Sequence, residues 1–468
     1  MSETTSRPTA AGQAGSAARG NPLLDGAILT TLVGLAWPNM LALSTQSLVV
    51  MAETRFIGLI GIEALAAMAL VFPMIALTQM MSAGAMGGGV SSAIARALGA
   101  GDEARARTLA LHALAIGLAA GLVMSVLFVA FRGPLFSLLG GRGRVLELAI
   151  DYAGTFFAGA LAVWLFNTLV SVVRGTGNMR LPSASLVAVA MLQTALGAVL
   201  SLGLGPFPRL GLVGIALAQV AAFGAGAMFL LWYLSSGSAR LSLSLAGTRF
   251  DRTLFRDILT VGTVACLSPI QSILVVVILA RLAASYGTTA LAGFGIGVRL
   301  ELLLVPIAFA IGVACVPMVG MAIGAQRIER ARRVAWSGAL LSGGLIGAIG
   351  LIVAWKPWLW GRIFTPDPAV LGAVETYLGV AGLGFPAYGF GLCLYFASQG
   401  SGKILGPVLG NTVRLVGVIA GGWWLVQGGG SFAALAWLIA ATLLLYGATV
   451  GLAVALTSWG PKPVLRAA

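Results

Sequence analysis

The amino-acid sequence predicts an all-α membrane protein: twelve transmembrane helices in two six-helix lobes, related by a pseudo-twofold axis along the membrane normal. Three observations support this fold class. Of the 468 residues, 59% are hydrophobic and 9% are charged, whereas soluble domains carry about 25% charged residues. Apolar segments recur at the length of about 20 residues that a bilayer core requires. Finally, segments of the first half recur in the second half.

Twelve apolar segments, separated by charged or turn-forming stretches, are predicted to span the membrane. They lie near residues 28–52, 64–94, 108–131, 148–172, 183–204, 211–234, 257–280, 290–321, 334–354, 371–397, 404–426 and 432–457. The domain organisation that follows is a disordered cytoplasmic tail (1–23), an N-terminal lobe (24–236), a cytoplasmic linker (237–256), a C-terminal lobe (257–458) and a second cytoplasmic tail (459–468).

The placement of Lys and Arg predicts the orientation. Of the 28 such residues, 18 fall in predicted loops on the side of the N-terminus, 6 in loops on the other side, and 4 within or beside spans. Cytoplasmic loops carry an excess of positive charge, so we expect a multi-pass protein of the cell membrane with both termini in the cytoplasm. These loops account for the net charge of +14, and we expect no nucleic-acid partner.

The composition also argues against several kinds of chemistry. The single histidine, His112, leaves no pair of histidines for a metal site. The one Gly-Lys pair, at 402–403, lacks the remainder of a phosphate-binding loop, and no Gly-x-Ser-x-Gly nucleophile motif occurs. We therefore expect neither an enzyme nor an ATP-driven pump, and no cofactor apart from a coupling ion. A membrane enzyme or a receptor-like scaffold is the alternative from another class.

An internal repeat appears when the chain is shifted along itself so that Tyr152 falls on Tyr377. The same shift places "RGTGNMRLP" (174–182) on "QGSGKILGP" (399–407). Each half has an even number of spans, so both halves have the same topology. Such parallel repeats are common in secondary transporters, whose binding sites lie between or within the halves. The repeat therefore favours transport driven by an ion gradient.

Seven segments in order resemble the multidrug and toxic compound extrusion (MATE) family over residues 24–457. They are "PNMLALSTQSLVVMAETRFIG", "GIEALAAMALVFP", "ARALGAGDEARAR", "VVRGTGNMRLP", "LGLGPFPRLGLVGIALA", "YGTTALAGFGIGVRLE" and "MAIGAQRIERARR". The resemblance implies a monomeric twelve-helix antiporter of a bacterial-type inner membrane, with a central cleft. It implies export of amphiphilic, cationic organic compounds by alternating access, driven by H⁺ or Na⁺.

Glu53 is the candidate ion-coupling residue. "AET" at 52–54 stands where the family often has Val-Asp-Thr, so the resemblance places Glu53 at the coupling position. Asn39, Gln46 and Glu53 are seven residues apart, nearly two helical turns, and so share one face suited to a polar cavity. The alternative is a solvated Glu53 beside Arg55, because about 20 residues counted from Leu29 reach the outer end of the span.

Further polar residues are candidates for the ion- and substrate-binding cavity. Asn167, Gln193 and Gln219 either line the first-half cavity or form plain interhelical hydrogen bonds. Glu301 is either a second-half coupling site or the partner of an arginine in a structural ion pair. The arginines available for that pair are Arg281, Arg299 and Arg414.

The family resemblance is closer to the DinF-like branch than to the NorM-like branch. Ser272 and Tyr388 stand where NorM-like members carry acidic residues. One carboxylate with amides supplies few of the oxygen ligands that a hard cation prefers, so H⁺ is favoured over Na⁺. The alternative function on the same fold is a flippase or exporter of a lipid-linked or anionic metabolite, which an arginine-rich cleft would favour.

Overall fold

The computed structural model describes residues 21–237, 240–243 and 250–460. All regular secondary structure in these ranges is helical. The membrane-spanning segments are α1 (Ile28–Ile60), α2 (Ile62–Gly99), α3 (Glu103–Leu138), α4 (Gly143–Ala158 and Ala160–Gly175), α5 (Arg180–Leu202), α6 (Gly211–Ser235), α7 (Arg252–Ser285), α8 (Thr288–Gly324), α9 (Ile328–Trp355), α10 (Pro368–Ser401), α11 (Leu405–Gln427) and α12 (Phe432–Leu456). The two parts of α4 meet at a bend of 47°. Each predicted span lies on one of these segments, which confirms the predicted fold class.

The predicted tails and linker are only partly described. Residues 1–20 and 461–468, which make up most of the two tails, lie outside the described residues, as do 238–239 and 244–249 of the linker. The last residues of the predicted N-terminal tail are helical: Pro22–Asp25 forms one turn, capped by Asn21, and Leu23 is buried. The helix α7 begins at Arg252, inside the predicted linker.

The helix α1 is longer than the sequence predicts. It continues beyond the expected end at 52 as far as Ile60 and stops at Gly61, whose φ of +152° favours glycine. One stripe of α1 is buried against the protein, at Leu32, Ala36, Asn39, Ala42, Val49, Glu53 and Ile57. The other faces carry exposed apolar residues such as Leu41 and Leu48. A helix whose exposed faces are mostly apolar and whose buried stripe carries a few polar groups is typical of a membrane span.

The two lobes, α1–α6 and α7–α12, meet where α2 crosses α8. A Cβ atom on Gly99 would lie 2.2 Å from the carbonyl oxygen of Met321, and one on Gly324 would lie 2.0 Å from that of Arg96. The shift that defines the internal repeat converts one of these pairs into the other, so the contact is reciprocal, as a twofold axis requires. Glycine permits such close approach of two backbones.

The start of α7 is attached to α3 of the other lobe through His112. The backbone N–H of Asp251 donates to Nε2 of His112 at 2.9 Å, and Nδ1 donates to the carbonyl of Thr108 at 2.8 Å. These partners require the neutral ring with its proton on Nδ1. Phe250 and Phe255 pack on the ring, with centroids at 5.2 and 4.5 Å.

Candidate functional site

A cavity of about 580 Å³ lies inside the N-terminal lobe, between α1, α2, α5 and α6. Its lining is mostly apolar, with side chains such as Phe72 and Phe223. The polar lining residues are Gln46, Glu53, Thr54, Gln79, Gln193 and Gln219. An apolar pocket with a few converging polar groups is the usual form of a site for a small organic ligand.

Glu53 lies on the inner face of α1, and its side chain is 4% exposed. Because α1 ends at Ile60, Glu53 is about 10 Å inside the helix end, at a rise of about 1.5 Å per residue. The solvated position considered from the sequence is therefore not observed. Arg55 is exposed on another face of the same helix, so this arginine does not accompany Glu53 into the cavity.

Two amide groups hold the carboxylate of Glu53. Nε2 of Gln193 on α5 donates to Oε1 at 2.6 Å. Nε2 of Gln219 on α6 lies 3.2 Å from Oε1 and 3.1 Å from Oε2. Both oxygens of Glu53 thus accept hydrogen bonds from neutral donors. A proton on the carboxyl would turn one acceptor into a donor, so this arrangement distinguishes the two protonation states of Glu53.

Tyr152 fixes the orientation of Gln219. The hydroxyl of this fully buried tyrosine on α4 donates to Oε1 of Gln219 at 3.0 Å. With its oxygen occupied, the amide of Gln219 presents its N–H groups to Glu53. The sequence reasoning did not assign Tyr152 to the site, although the internal repeat singled it out by pairing it with Tyr377.

A second cavity of about 220 Å³ extends from the first toward the C-terminal lobe, reaching Phe309 on α8. Gln46 and Gln79 line both cavities, so both residues lie where the two cavities join. Asn167 lines the second cavity, and its Nδ2 donates to Oε1 of Gln79 at 3.0 Å and to Oγ of Ser82 at 2.8 Å. Asn167 therefore both lines a cavity and links α4 to α2.

Asn39 does not itself line either of these two cavities, but it is hydrogen-bonded to a residue that does. Its side chain is fully buried, and its Oδ1 accepts from Nη2 of Arg174 on α4 at 3.0 Å. Asn39 thus forms a hydrogen bond that links α1 to α4. Arg174, which the charge count assigned to a cytoplasmic loop, is instead 3% exposed and lines the second cavity. The loop assignment of Arg174 was wrong, because a count of charges along the chain does not detect burial.

Glu301 lies on α8 in the C-terminal lobe and is not brought together with Glu53. Its carboxylate accepts a hydrogen bond from the hydroxyl of Tyr377 on α10. The expected ion pair with Arg281, Arg299 or Arg414 was wrong: within the described ranges, none of the three forms an ion pair. Glu301 and the network of Glu53 nevertheless share one feature, since Tyr377 is the repeat counterpart of Tyr152.

Two six-helix lobes of equal topology, with a mostly apolar cavity that contains one buried carboxylate, are typical of a membrane transporter. The chain belongs to the MatE family, whose model matches residues 38–199 and again 263–424. The offset between the two matches equals the shift of the internal repeat. The family resemblance read from the sequence is therefore confirmed, and so is the expectation of a multidrug efflux transporter family rather than an enzyme. The closer likeness to the DinF-like branch stays a prediction.

Similar proteins agree with this assignment. The FAD transporter of Shewanella oneidensis is 27% identical, over 84% of this chain and 87% of that protein. The probable multidrug resistance protein YoeA of Bacillus subtilis is 25% identical, over 83% of each chain. Among solved structures, a MOP superfamily transporter from Pyrococcus furiosus has the same fold, with a TM-score of 0.85 at 23% identity, over 93% of this chain and 97% of that one. A multidrug resistance MATE family transporter in an outward-facing conformation gives a TM-score of 0.83 at 23% identity, over 94% and 97%.

Proposed function

We propose that the protein exports amphiphilic, cationic organic compounds in exchange for protons, by alternating access in a bacterial-type inner membrane. The observation that carries this proposal is the position of Glu53. It lines the cavity, it is held by two neutral amide donors, and it forms no ion pair with another described residue. An ionised Glu53 therefore gives the cavity a negative charge that either a proton or a cationic substrate can neutralise.

The surroundings of Glu53 favour H⁺ over Na⁺ as the coupling ion. Gln193 and Gln219 present N–H groups to the carboxylate, and a cation is not bound by donors. The side-chain oxygen of Gln219 accepts from Tyr152, whereas Oε1 of Gln193 has no hydrogen-bond partner among the described residues. A carboxylate with one free amide oxygen is a poor cage for a hard cation, which prefers several oxygen ligands.

Coupling follows if the proton and the substrate exclude one another at Glu53. With both termini in the cytoplasm, as the charge bias favours, Glu53 lies in the outer half of α1 and takes up a proton from outside as the substrate leaves. It releases the proton when the cavity opens inward, and a new cation then binds. Exchange of one proton for one monovalent cation moves no net charge, so a pH gradient drives it and membrane potential alone does not.

The proposal is tested with the purified protein in proteoliposomes, using rhodamine B ethyl ester as the cationic dye. A pH gradient, a Na⁺ gradient and a membrane potential are imposed separately. We expect dye movement with the pH gradient only, and loss of that movement in Glu53→Gln. The matched control is Glu63→Gln, which alters an exposed carboxylate on α2. Equal transport by Glu53→Gln and the wild type, at equal protein level, would refute the role of Glu53.

The other cargo considered from the sequence, a lipid-linked or anionic metabolite, is kept as a second candidate. One observation favours it: the Shewanella oneidensis relative is named a FAD transporter, and FAD carries phosphate groups. Transport of an organic anion by the wild-type protein, without transport of the cationic dye, would replace the first proposal by this one.

A further inference from the structure

We propose that Arg174 and Asn39 form a subsite for the acidic group, a carboxylate or a phosphate, of a transported compound. This inference rests on the proposed transport through the two connected cavities and adds a second binding group to it. The substrates that fit best then carry an acid at one end and a cationic or polar aromatic body at the other.

The first observation is an unpaired buried charge. The side chain of Arg174 is 3% exposed, and among the described residues it forms no ion pair with any carboxylate. Its Nη2 donates to Asn39 at 3.0 Å, and its Nε has no partner. Charged groups buried in proteins are normally paired, because removing a charge from water without compensation is costly.

Asn39 supplies a second unused donor beside the first. Its Oδ1 accepts from Arg174 at 3.0 Å and from Oγ of Ser183 at 3.4 Å. Its Nδ2 is buried and has no partner in the part of the chain that the structure describes. Two side chains joined by one hydrogen bond therefore both retain N–H groups without an acceptor. An anionic oxygen is the group that complements such donors, and guanidinium groups bind carboxylates and phosphates with the shortest and strongest hydrogen bonds.

A ligand in the cleft can reach this position. Arg174 lines the cavity of about 220 Å³, and Gln46 and Gln79 connect that cavity to the one around Glu53. Fourteen residues of α1 separate Asn39 from Glu53, which corresponds to about 21 Å along the helix. One small group cannot bind at both ends, but an elongated amphiphile can place its acid near Arg174 and its remaining polar groups toward Glu53.

The internal repeat argues against a purely structural cation at this place. The position of Arg174 at the end of α4 corresponds, in the repeat, to Gln399 near the end of α10. Gln399 is also fully buried but carries no charge. The C-terminal end of a helix favours a cation, yet the same fold accepts a neutral side chain at the equivalent position in the other lobe. The charge of Arg174 is thus not a requirement of the fold.

Equilibrium binding to the purified protein in detergent tests the proposal. Rhodamine B carries a free carboxylate, and its ethyl ester is the same dye with that charge removed. We expect Arg174→Gln to weaken binding of rhodamine B by about tenfold or more, the loss of a hydrogen bond to a charged group, and to change binding of the ester less than about twofold. Arg174→Lys should restore part of the loss. The matched control is Arg180→Gln, which alters an exposed arginine six residues away.

Equal losses for both dyes, or no loss for either, would overturn the proposal. Because Arg174→Gln can fail to fold, a second measurement uses the wild type alone. Naphthoate is expected to displace rhodamine B more strongly than naphthamide, which has the same size without the charge. Equal displacement overturns the proposal, and displacement by solubilised phosphatidylglycerol but not by naphthoate assigns the site to lipid instead.

The binding test is separable from the test of coupling. No gradient is present, so failure of Glu53→Gln to abolish transport leaves the preference for the acid unaffected. Conversely, absence of the preference leaves proton coupling through Glu53 intact. Glu53→Gln itself is expected to keep the stronger displacement of rhodamine B by naphthoate than by naphthamide.

Discussion

Replacement of Gly324 by alanine is expected to push the two lobes apart where α2 crosses α8. The added methyl group would lie 2.0 Å from the carbonyl oxygen of Arg96, whereas ordinary contact begins at 3.4 Å. The obstacle is backbone and not a flexible side chain, so no rotamer change relieves it. The helices must separate by more than an ångström, and overpacking of this kind costs about 1–3 kcal/mol.

Thermal unfolding of the purified protein in detergent measures this cost. At about 2 °C per kcal/mol for a large domain, the midpoint of Gly324→Ala should fall by about 2–6 °C. Gly295→Ala is the control: it lies on the same helix, and a Cβ there meets nothing within 4 Å. That variant should be unchanged or slightly stabilised, because alanine favours a helix over glycine.

Because the contact between α2 and α8 is reciprocal, the same experiment also predicts the result for Gly99 and for the double variant. Gly99→Ala, facing Met321, should cost about as much as Gly324→Ala. The double variant should cost less than the sum of the two, because one separation of the helices relieves both contacts. Additive losses, or a Gly324→Ala variant that unfolds at the midpoint of Gly295→Ala, would refute the close crossing of α2 and α8.

The remaining predictions concern Tyr152 and His112. Tyr152→Phe leaves Oε1 of Gln219 without its donor, so the amide that holds Glu53 can turn, and we expect transport driven by a pH gradient to fall several-fold. Tyr377→Phe, the same change beside Glu301, should leave transport near the wild-type rate. Equal losses of transport in the two variants would contradict a specific role of Tyr152. His112→Phe removes the acceptor for the N–H of Asp251 while keeping an aromatic ring, and should lower the free energy of unfolding by about 1–3 kcal/mol. Protease cleavage of the segment before α7 should therefore increase. Unchanged cleavage would show that the hydrogen bond contributes little.

The helices and the internal repeat could be predicted from the sequence, because both depend on patterns of neighbouring residues along the chain. Apolar runs of bilayer length mark every span, and one constant shift relates the halves. The end of α1 was the instructive error. The pair of charges at Glu53 and Arg55 resembled an interface, yet the helix continues to Ile60. The two side chains simply point in different directions, one toward the amides of Gln193 and Gln219 and the other outward.

Partners supplied by distant segments could not be predicted. Tyr152 reaches Gln219 across 67 positions of sequence, and Arg174 reaches Asn39 across 135. The pattern of residues within one helix does not predict which residue of a distant helix will contact it. The same holds for Glu301, where charge alone suggested a neighbouring arginine. The hydroxyl of Tyr377 is its partner instead, and only the packing of α8 on α10 brings the two together.

The crossing of α2 and α8 also constrains how this chain can diverge. The halves occupy separate stretches of sequence, free to drift in most places, as Arg174 and Gln399 show. At Gly99 and Gly324, however, each half packs directly against the backbone of the other, so a bulkier residue in either half displaces helices of both. Saturation mutagenesis should therefore find intolerance at both of these positions alike and tolerance at Gly295, where a Cβ would meet nothing within 4 Å. The contact between the two halves therefore has the same constraint as the interface of a symmetric dimer, although both halves belong to one polypeptide.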